Sequence, residues 1–312
     1  MGEKPSILVL GGGPDAEREV SLVGAKGVAE ALVSLGFSVH AHTIDHVSLS
    51  DLRSMPGDVV FPVLHGPWGE GGPLQDLLAD LGRPFVGCRG PAARLAMDKV
   101  ATKAVALRAG IATAEFAILN TRDPACPLPL PVVAKPIHEG SSVGVHICKD
   151  AGQWEKAIAA IRADVQQHPT RTYMVERYVP AMELTQGVID PQGENPRLPI
   201  VAITPKAEFY DYHAKYHSDD TGYVVDPRLP AGVADQVFHA AQSVAKTMGV
   251  RHLCRVDFLL DQRGTPWLLE VNTLPGFTSH SLLPMAAERF GLSYPKLCER
   301  LIHCALRDGT SR

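Results

Sequence analysis

Three oxygen-bearing side chains, Asp257, Glu270 and Asn272, fall within one otherwise apolar stretch, RVDFLLDQRGTPWLLEVNTLPGF, running from Arg255 to Phe277. Converging from apolar surroundings, they would be costly to bury without a partner. Three hard oxygen ligands are few for a calcium cage. They suit magnesium, which keeps several waters and takes phosphate oxygens as further ligands. The alternative for the same residues is a structural ion pair from Arg255 to Asp257 or Glu270, with Asn272 opening a turn.

A hairpin must position these groups. Two alternating apolar runs flank the turn Asp261-Gln262-Arg263-Gly264. Period two puts Arg255 and Asp257 on one face and Val256, Phe258 and Leu260 on the other. On the return strand Leu268, Glu270 and Asn272 share a face, with Leu269 and Val271 opposite. If Leu260 pairs with Thr265, Arg255 lies opposite Glu270 and Asp257 lies diagonal to it, roughly 7 Å apart at Cβ.

Other residues carry charge to places where a ligand could use it. Lys135 follows three apolar residues in the strand pattern PVVAKP, and lysines are rarely buried without an anionic partner. The next loop, Glu139-Gly140-Ser141-Ser142-Val143-Gly144, has the small and hydroxyl residues that fold over phosphates, though it is not a Walker loop. Glu176 and Glu183 flank a bend after the strand YMVERYV, where surface acids are the plain alternative. Near the start, an apolar run, Gly11-Gly12-Gly13 and a helix form an anion-binding corner. Its match to a dinucleotide fingerprint lacks a well-placed acid, because Asp45 lies too far along. Glu17 would face a ligand at the carboxyl end of that strand, and His65 opens a glycine-rich loop at the end of another. An acid in a first helical turn, or a lone structural histidine, would look the same.

The chain of 312 residues is 45% hydrophobic and 21% charged, which is ordinary globular material for two or three domains. A net charge of −4 with mixed signs gives no reason to expect nucleic acid or a membrane surface. Six cysteines without a CxxC pair argue against zinc and disulfides and for a reducing compartment. With no apolar run of spanning length and no signal pattern, a cytoplasmic location is expected. Asn120 to Pro131, NTRDPACPLPLP, reads as a linker, and Lys206 to Asp226 as a long loop. The last helices, Ala231 to Met248, Ser281 to Phe290 and Tyr294 to Leu306, read as packing faces.

Taken in order, AEREVSL, FPVLHGPWGEGGPLQ, AMDKVATK, VVAKPIHEGSSVGV, VERYVPAMELT, FYDYHAKY, RVDFLLD and EVNTLPGFTSHSL resemble the ATP-grasp ligases. Among these they resemble the D-alanine–D-alanine ligase family. The resemblance implies an α/β chain of three domains: a Rossmann-like unit at 1–95, a central ATP-grasp unit at 96–183 and a C-terminal unit at 184–312. The last would carry the metal site and a mobile loop at about 206–226. It further implies ATP, two D-alanines, two magnesium ions replaceable by manganese, and a homodimer. Lys99 and Lys135 would contact phosphates, with Ser141 and Ser142 in the covering loop. The stretch Glu176, Arg177 to Val179 would hold adenine, and Glu183 the ribose. Asp257, Glu270 and Asn272 would bind the metals. Glu17 would hold the first ammonium, with His65 nearby. Arg255 and Gly276 would stabilise developing negative charge, and Ser281 and Leu282 would receive the second carboxylate. Lys215 and Tyr216 would sit on the mobile loop, and Glu17, Ser141 and Tyr216 together would favour an amine nucleophile. Four features depart from the family pattern: Pro14-Asp15, Gly71, His213 and Gln186-Gly187.

The competing readings are a ligase with D-lactate or D-serine as acceptor, a nucleotide-binding protein on a decayed ligase fold, and a nicotinamide dehydrogenase resting on the glycine corner.

Overall fold

The computed structural model describes residues 4–140, 143–205 and 221–309. Three sheets organise them. The first is parallel, in the order β2-β1-β3, with β1 (Ile7–Gly12), β2 (Val39–Ile44) and β3 (Val59–Pro62). Parallel neighbours need a crossover, supplied by α1 (Arg18–Ser34) and α2 (Leu49–Ser54). β1 and β3 are buried along their whole length, which is why they read as continuous apolar runs. Beyond β3 come α3 (Gly66–Gly69) and α4 (Pro73–Leu81).

The second sheet is antiparallel, in the order β4-β7-β5-β6, with β4 (Phe116–Ile118), β5 (Val132–Pro136), β6 (His146–Cys148) and β7 (Tyr173–Arg177). It is backed by α7 (Ala151–Gln167), whose Trp154 and Ile161 join Val132 and Val175 in one core. Residues 120–131 therefore do not link separate units, as their prolines suggested. They join β4 to β5 inside one sheet.

The third sheet runs β10-β9-β8-β11-β12, antiparallel throughout. Its strands are β8 (Ala181–Ile189), β9 (Val201–Pro205), β10 (Thr221–Val225), β11 (Leu253–Asp261) and β12 (Pro266–Asn272). Thr221 to Val225, expected within a long loop, is thus an edge strand. Gln186-Gly187 does not break β8. Gln186 donates to the carbonyls of Gly187 and Leu198, and a Cβ on Gly187 would stand 3.0 Å from Leu198 Cδ1.

Helices α5 (Gly90–Met97) and α6 (Lys99–Arg108) are split by Asp98, which ends the first and caps the second by accepting from Ala101 N at 2.9 Å. Both pack with α8 (Val233–Thr247) against the apolar face of β11 and β12. The last helices, α9 (Leu282–Phe290) and α10 (Tyr294–Gly309), return to the start of the chain. There Leu297, Leu301 and Ile302 share a core with Ile7, Val28 and Phe61. Among the described residues, no helix is long and apolar enough to cross a membrane.

Candidate active site

A cavity of about 480 Å³ opens between the second and third sheets. Lys99, Lys135, Glu176, Arg177 to Val179, Glu183, Leu269 and Glu270 are among its lining residues. Of the expected nucleotide residues, Lys99, Lys135, Glu176, Arg177, Val179 and Glu183 thus line one cavity. Lys99 begins α6 and donates to the carbonyl of Glu139, in the loop after β5, so helix and loop are tied at the cavity mouth. Glu139 is held in turn by Arg171 at 2.9 Å. The Arg177 guanidinium lies over Trp267, 4.9 Å from the ring centroid.

Glu176 is buried, which rules out the surface-acid alternative for this residue. It pairs with Lys135 across neighbouring strands and with Lys103 at 2.8 Å. Burial alone would raise its pKa. Lys135 and Lys103 together overcome that and hold the carboxyl down at about 2. Sequence reasoning missed Lys103. It lies one helical turn beyond Lys99 and would be taken for a solvated lysine, yet it is fully buried.

On the hairpin the register differs from expectation. Leu260 pairs with Pro266, not Thr265, and Phe258 with Leu268. A bulge then inserts Leu269, so Asp257 stands directly opposite Glu270, and Arg255 opposite Asn272. Leu268 consequently faces the core with Phe258, while Leu269 and Glu270 line the cavity. Asp257 is almost wholly buried and accepts from Thr185 and from Arg255, whose Nε and Nη2 reach its two oxygens at 3.0 and 2.8 Å. The ion pair weighed against metal binding is therefore present in the ligand-free chain.

The donor set nevertheless fits a hard divalent cation. Two carboxylates and an amide oxygen share one face beside a lysine-lined cavity. Among the described residues no three His, Cys, Asp or Glu side chains form a metal-holding group, and a cation here would need Asn272 and phosphate oxygens as further ligands. Asn272 Oδ1 accepts from Leu274 N at 3.1 Å, which fixes its direction.

A second cluster forms where the first sheet meets the hairpin. Glu17 sits at the N-cap position of α1, and its Oε2 lies 3.8 Å from where a Cβ on Gly140, in the loop after β5, would stand. His65 is buried with Nδ1 3.0 Å from the carbonyl of Leu274, so that nitrogen carries the proton. Nε2 remains as an acceptor without a hydrogen-bond partner among the described residues, and burial holds the ring neutral. Glu70, also missed, is buried. Burial first, then the neighbouring Glu17, pushes its pKa up to about 8. A lone glutamate among four glycines, in GPWGEGG, was the available signal. Asp15, at the departure Pro14-Asp15, accepts from Trp68 N at 3.3 Å and braces this loop. At Gly71 a Cβ would stand 2.3 Å from the Pro67 carbonyl, so this loop conformation excludes the aspartate of the family pattern. Gly276 approaches closely as well, with Ser281 Oγ 3.2 Å from the position of an added Cβ. Ser281 and Leu282 open α9, presenting a helix N-terminus.

The glycine corner is not a dinucleotide site. Gly12 N donates to Ser21 Oγ at 2.8 Å and Gly13 N to Ile44 O at 2.8 Å, while Asp45 is paired with Arg18. Its amides are thus used internally. Ser141, Ser142, His213, Lys215 and Tyr216 lie outside the described residues.

Two antiparallel sheets closing on a nucleotide-sized cavity, beside a parallel α/β unit, define the class as an ATP-grasp fold. A family model described as "D-ala D-ala ligase C-terminus" matches residues 107–303. The D-alanine–D-alanine ligase of Bordetella pertussis is 42% identical over 301 residues, covering 94% of this chain and 93% of that protein. D-alanine–D-alanine ligase B of Chromobacterium violaceum is 40% identical over 310 residues, covering 97% and 98%. Among solved structures, the D-alanine–D-alanine ligase of Bacillus anthracis complexed with ATP aligns with a TM-score of 0.83 and 29% identity, over 99% of both chains. The VanG D-Ala:D-Ser ligase of Enterococcus faecalis aligns at 0.82 with 26% identity, over 97% of this chain and 100% of that one. The chain belongs to the D-alanine–D-alanine ligase family.

Proposed function

We propose that this chain joins two D-alanines to D-alanyl-D-alanine at the expense of ATP, for peptidoglycan precursor synthesis. One observation carries this reading: a nucleotide-sized cavity lined by Lys99, Lys135 and Glu270, the last directly opposite Asp257 on the hairpin.

A carboxylate attacking the γ-phosphate brings anion to anion, so the barrier is largely electrostatic. Lys99 and Lys135 hold the phosphates, Arg177 to Val179 and Glu183 frame the nucleoside, and Glu17 with neutral His65 receives the first ammonium. Asp257, Glu270 and Asn272 would hold two magnesium or manganese ions, which supply charge neutralisation across the terminal phosphates. Attack gives D-alanyl phosphate and ADP. The second D-alanine, its carboxylate at Ser281 and Leu282, then attacks the acyl carbon as a free amine, and phosphate leaves. Arg255 and the backbone at Gly276 stabilise the oxyanion formed on the way. By family resemblance Ser141, Ser142, Lys215 and Tyr216 close over the intermediate, which open water would hydrolyse.

The division into units at 1–95, 96–183 and 184–312, a homodimer and a cytoplasmic setting belong to the same reading. The six cysteines are all free, as a reducing compartment favours. The experiment is phosphate release from ATP with a panel of D- and L-amino acids, D-serine and D-lactate. Turnover should be highest with D-alanine alone. A preference for D-lactate or D-serine as acceptor would sink the dipeptide assignment.

A further inference from the structure

The side chain of Lys103 is fully buried, and its ammonium has three neighbours. Nζ lies 2.8 Å from Glu176 Oε2, donates to Thr113 Oγ1 at 2.7 Å, and stands 5.8 Å over the ring of Phe116. Thr113 Oγ1 in turn donates to the carbonyl of Leu268 at 2.8 Å, and Leu268 N donates to Ala112 O at 2.7 Å. Leu268 is the residue just before the bulge, and Glu270 follows the bulge residue. The other oxygen of Glu176 is held by Lys135. One buried ammonium thus stands between a cavity lysine and the hairpin that carries the cavity carboxylate.

We propose that Lys103 is a positioning residue for nucleotide binding, holding Glu176 so that Lys135 is free to engage phosphate and pinning, through Thr113, the bulge that aims Glu270. This rests on the assignment of the cavity to ATP. Lys135 and Glu176 alone would form a closed neutral pair, which Lys135 must break to reach a phosphate in surroundings where ion pairs are strong. A second ammonium on Glu176 changes that balance. The carboxylate keeps a cation at 2.8 Å when Lys135 leaves it, and the site carries one positive charge in excess, which an incoming phosphate oxygen neutralises. Thr113 extends the same control to the third sheet. Its hydroxyl is spoken for at both ends, so the carbonyl before the bulge has a fixed donor.

The test is ATP binding to the full chain by calorimetry, with and without magnesium, beside thermal denaturation. Lys103→Met should weaken ATP binding about tenfold, the scale of one lost charge-assisted hydrogen bond, while the KM for D-alanine stays as in wild type. Thr113→Val, nearly the same shape, should leave metal-free ATP binding unchanged and blunt the tightening that magnesium brings. A purely structural role would lower the melting temperature and move neither binding readout, and that outcome overturns the proposal. If Lys103→Met does not fold, Thr113→Val decides alone, and an unchanged magnesium effect is the contrary result. Wild-type protein that binds no ATP would instead remove the cavity's assignment, and this inference with it.

Discussion

Asp257 and Glu270 face each other directly across the hairpin because β12 carries one extra residue, Leu269, between Leu268 and Glu270. Without that bulge Glu270 would share a face with Leu268, whose side chain is in the core. The bulge lets one strand present apolar residues to the core on one side of it and an acid to the cavity on the other.

Glu270→Gln keeps the shape of this site and removes one charge from the proposed metal pair. Turnover should fall by about a hundredfold or more, an electrostatic loss of roughly 3 kcal/mol or greater, with the fold intact. Steady-state kinetics at saturating magnesium, beside a melting curve, checks it. Wild-type turnover would remove Glu270 from metal binding.

Lys135→Ala deletes a phosphate contact but does not strand Glu176, which keeps Lys103 at 2.8 Å. The variant should therefore fold. A lost charge-assisted bond of about 1.5–3 kcal/mol raises the dissociation constant for ATP roughly ten- to hundredfold. Calorimetry reads this directly, and an unchanged constant would place Lys135 outside the phosphate site.

Glu70 makes stability depend on pH in a stated direction. Its pKa rises from an ordinary 4.5 to about 8 on folding, chiefly through burial. The folded state therefore binds the proton more tightly. The stabilisation is complete below pH 4.5 and is lost as pH rises towards 8. Glu70→Gln mimics the neutral form at every pH. Its melting temperature should match wild type near the acid end of this window and exceed it at the alkaline end. A constant difference across the window would show that Glu70 does not titrate there.

Tyr216→Phe addresses acceptor choice. Deleting one hydroxyl removes about 1–2 kcal/mol of hydrogen bonding, which corresponds to roughly a tenfold shift in the ratio of kcat/KM for D-alanine over D-lactate. Competition between the two acceptors at fixed pH measures it. An unaltered ratio would detach Tyr216 from that choice.

How much of this was legible beforehand follows from how each residue is recognised. Asp257, Glu270 and Lys135 were visible because each interrupts an apolar alternation, and a charged residue inside such a pattern needs a partner. The bulge was not read, although its trace is present: Leu268 and Leu269 are consecutive apolar residues where alternation asks for one. Lys103 was missed, and Glu176 was named for the nucleotide site but not as the partner of two lysines, because each is ordinary in its own helix or strand. Only the packing of α6 between two sheets brings them together. The prolines at 120–131 suggested a boundary, but the strands on either side belong to one sheet whose order, β4-β7-β5-β6, brings in a strand from much later in the chain. Likewise the amphipathic pattern of α10 announced a packing face without saying that it covers the first sheet.

The central claim is that a D-alanine carboxylate is phosphorylated by ATP in the cavity that holds Lys135 and Glu270. The direct measurement uses D-alanine carrying heavy oxygen in its carboxylate, with ATP and magnesium, and mass analysis of the phosphate released. Acyl phosphate formation followed by amine attack must move one carboxylate oxygen into each phosphate, in step with one dipeptide formed. Labelled phosphate and dipeptide in equal amounts is the predicted result. Unlabelled phosphate, or phosphate released without dipeptide, would contradict the account.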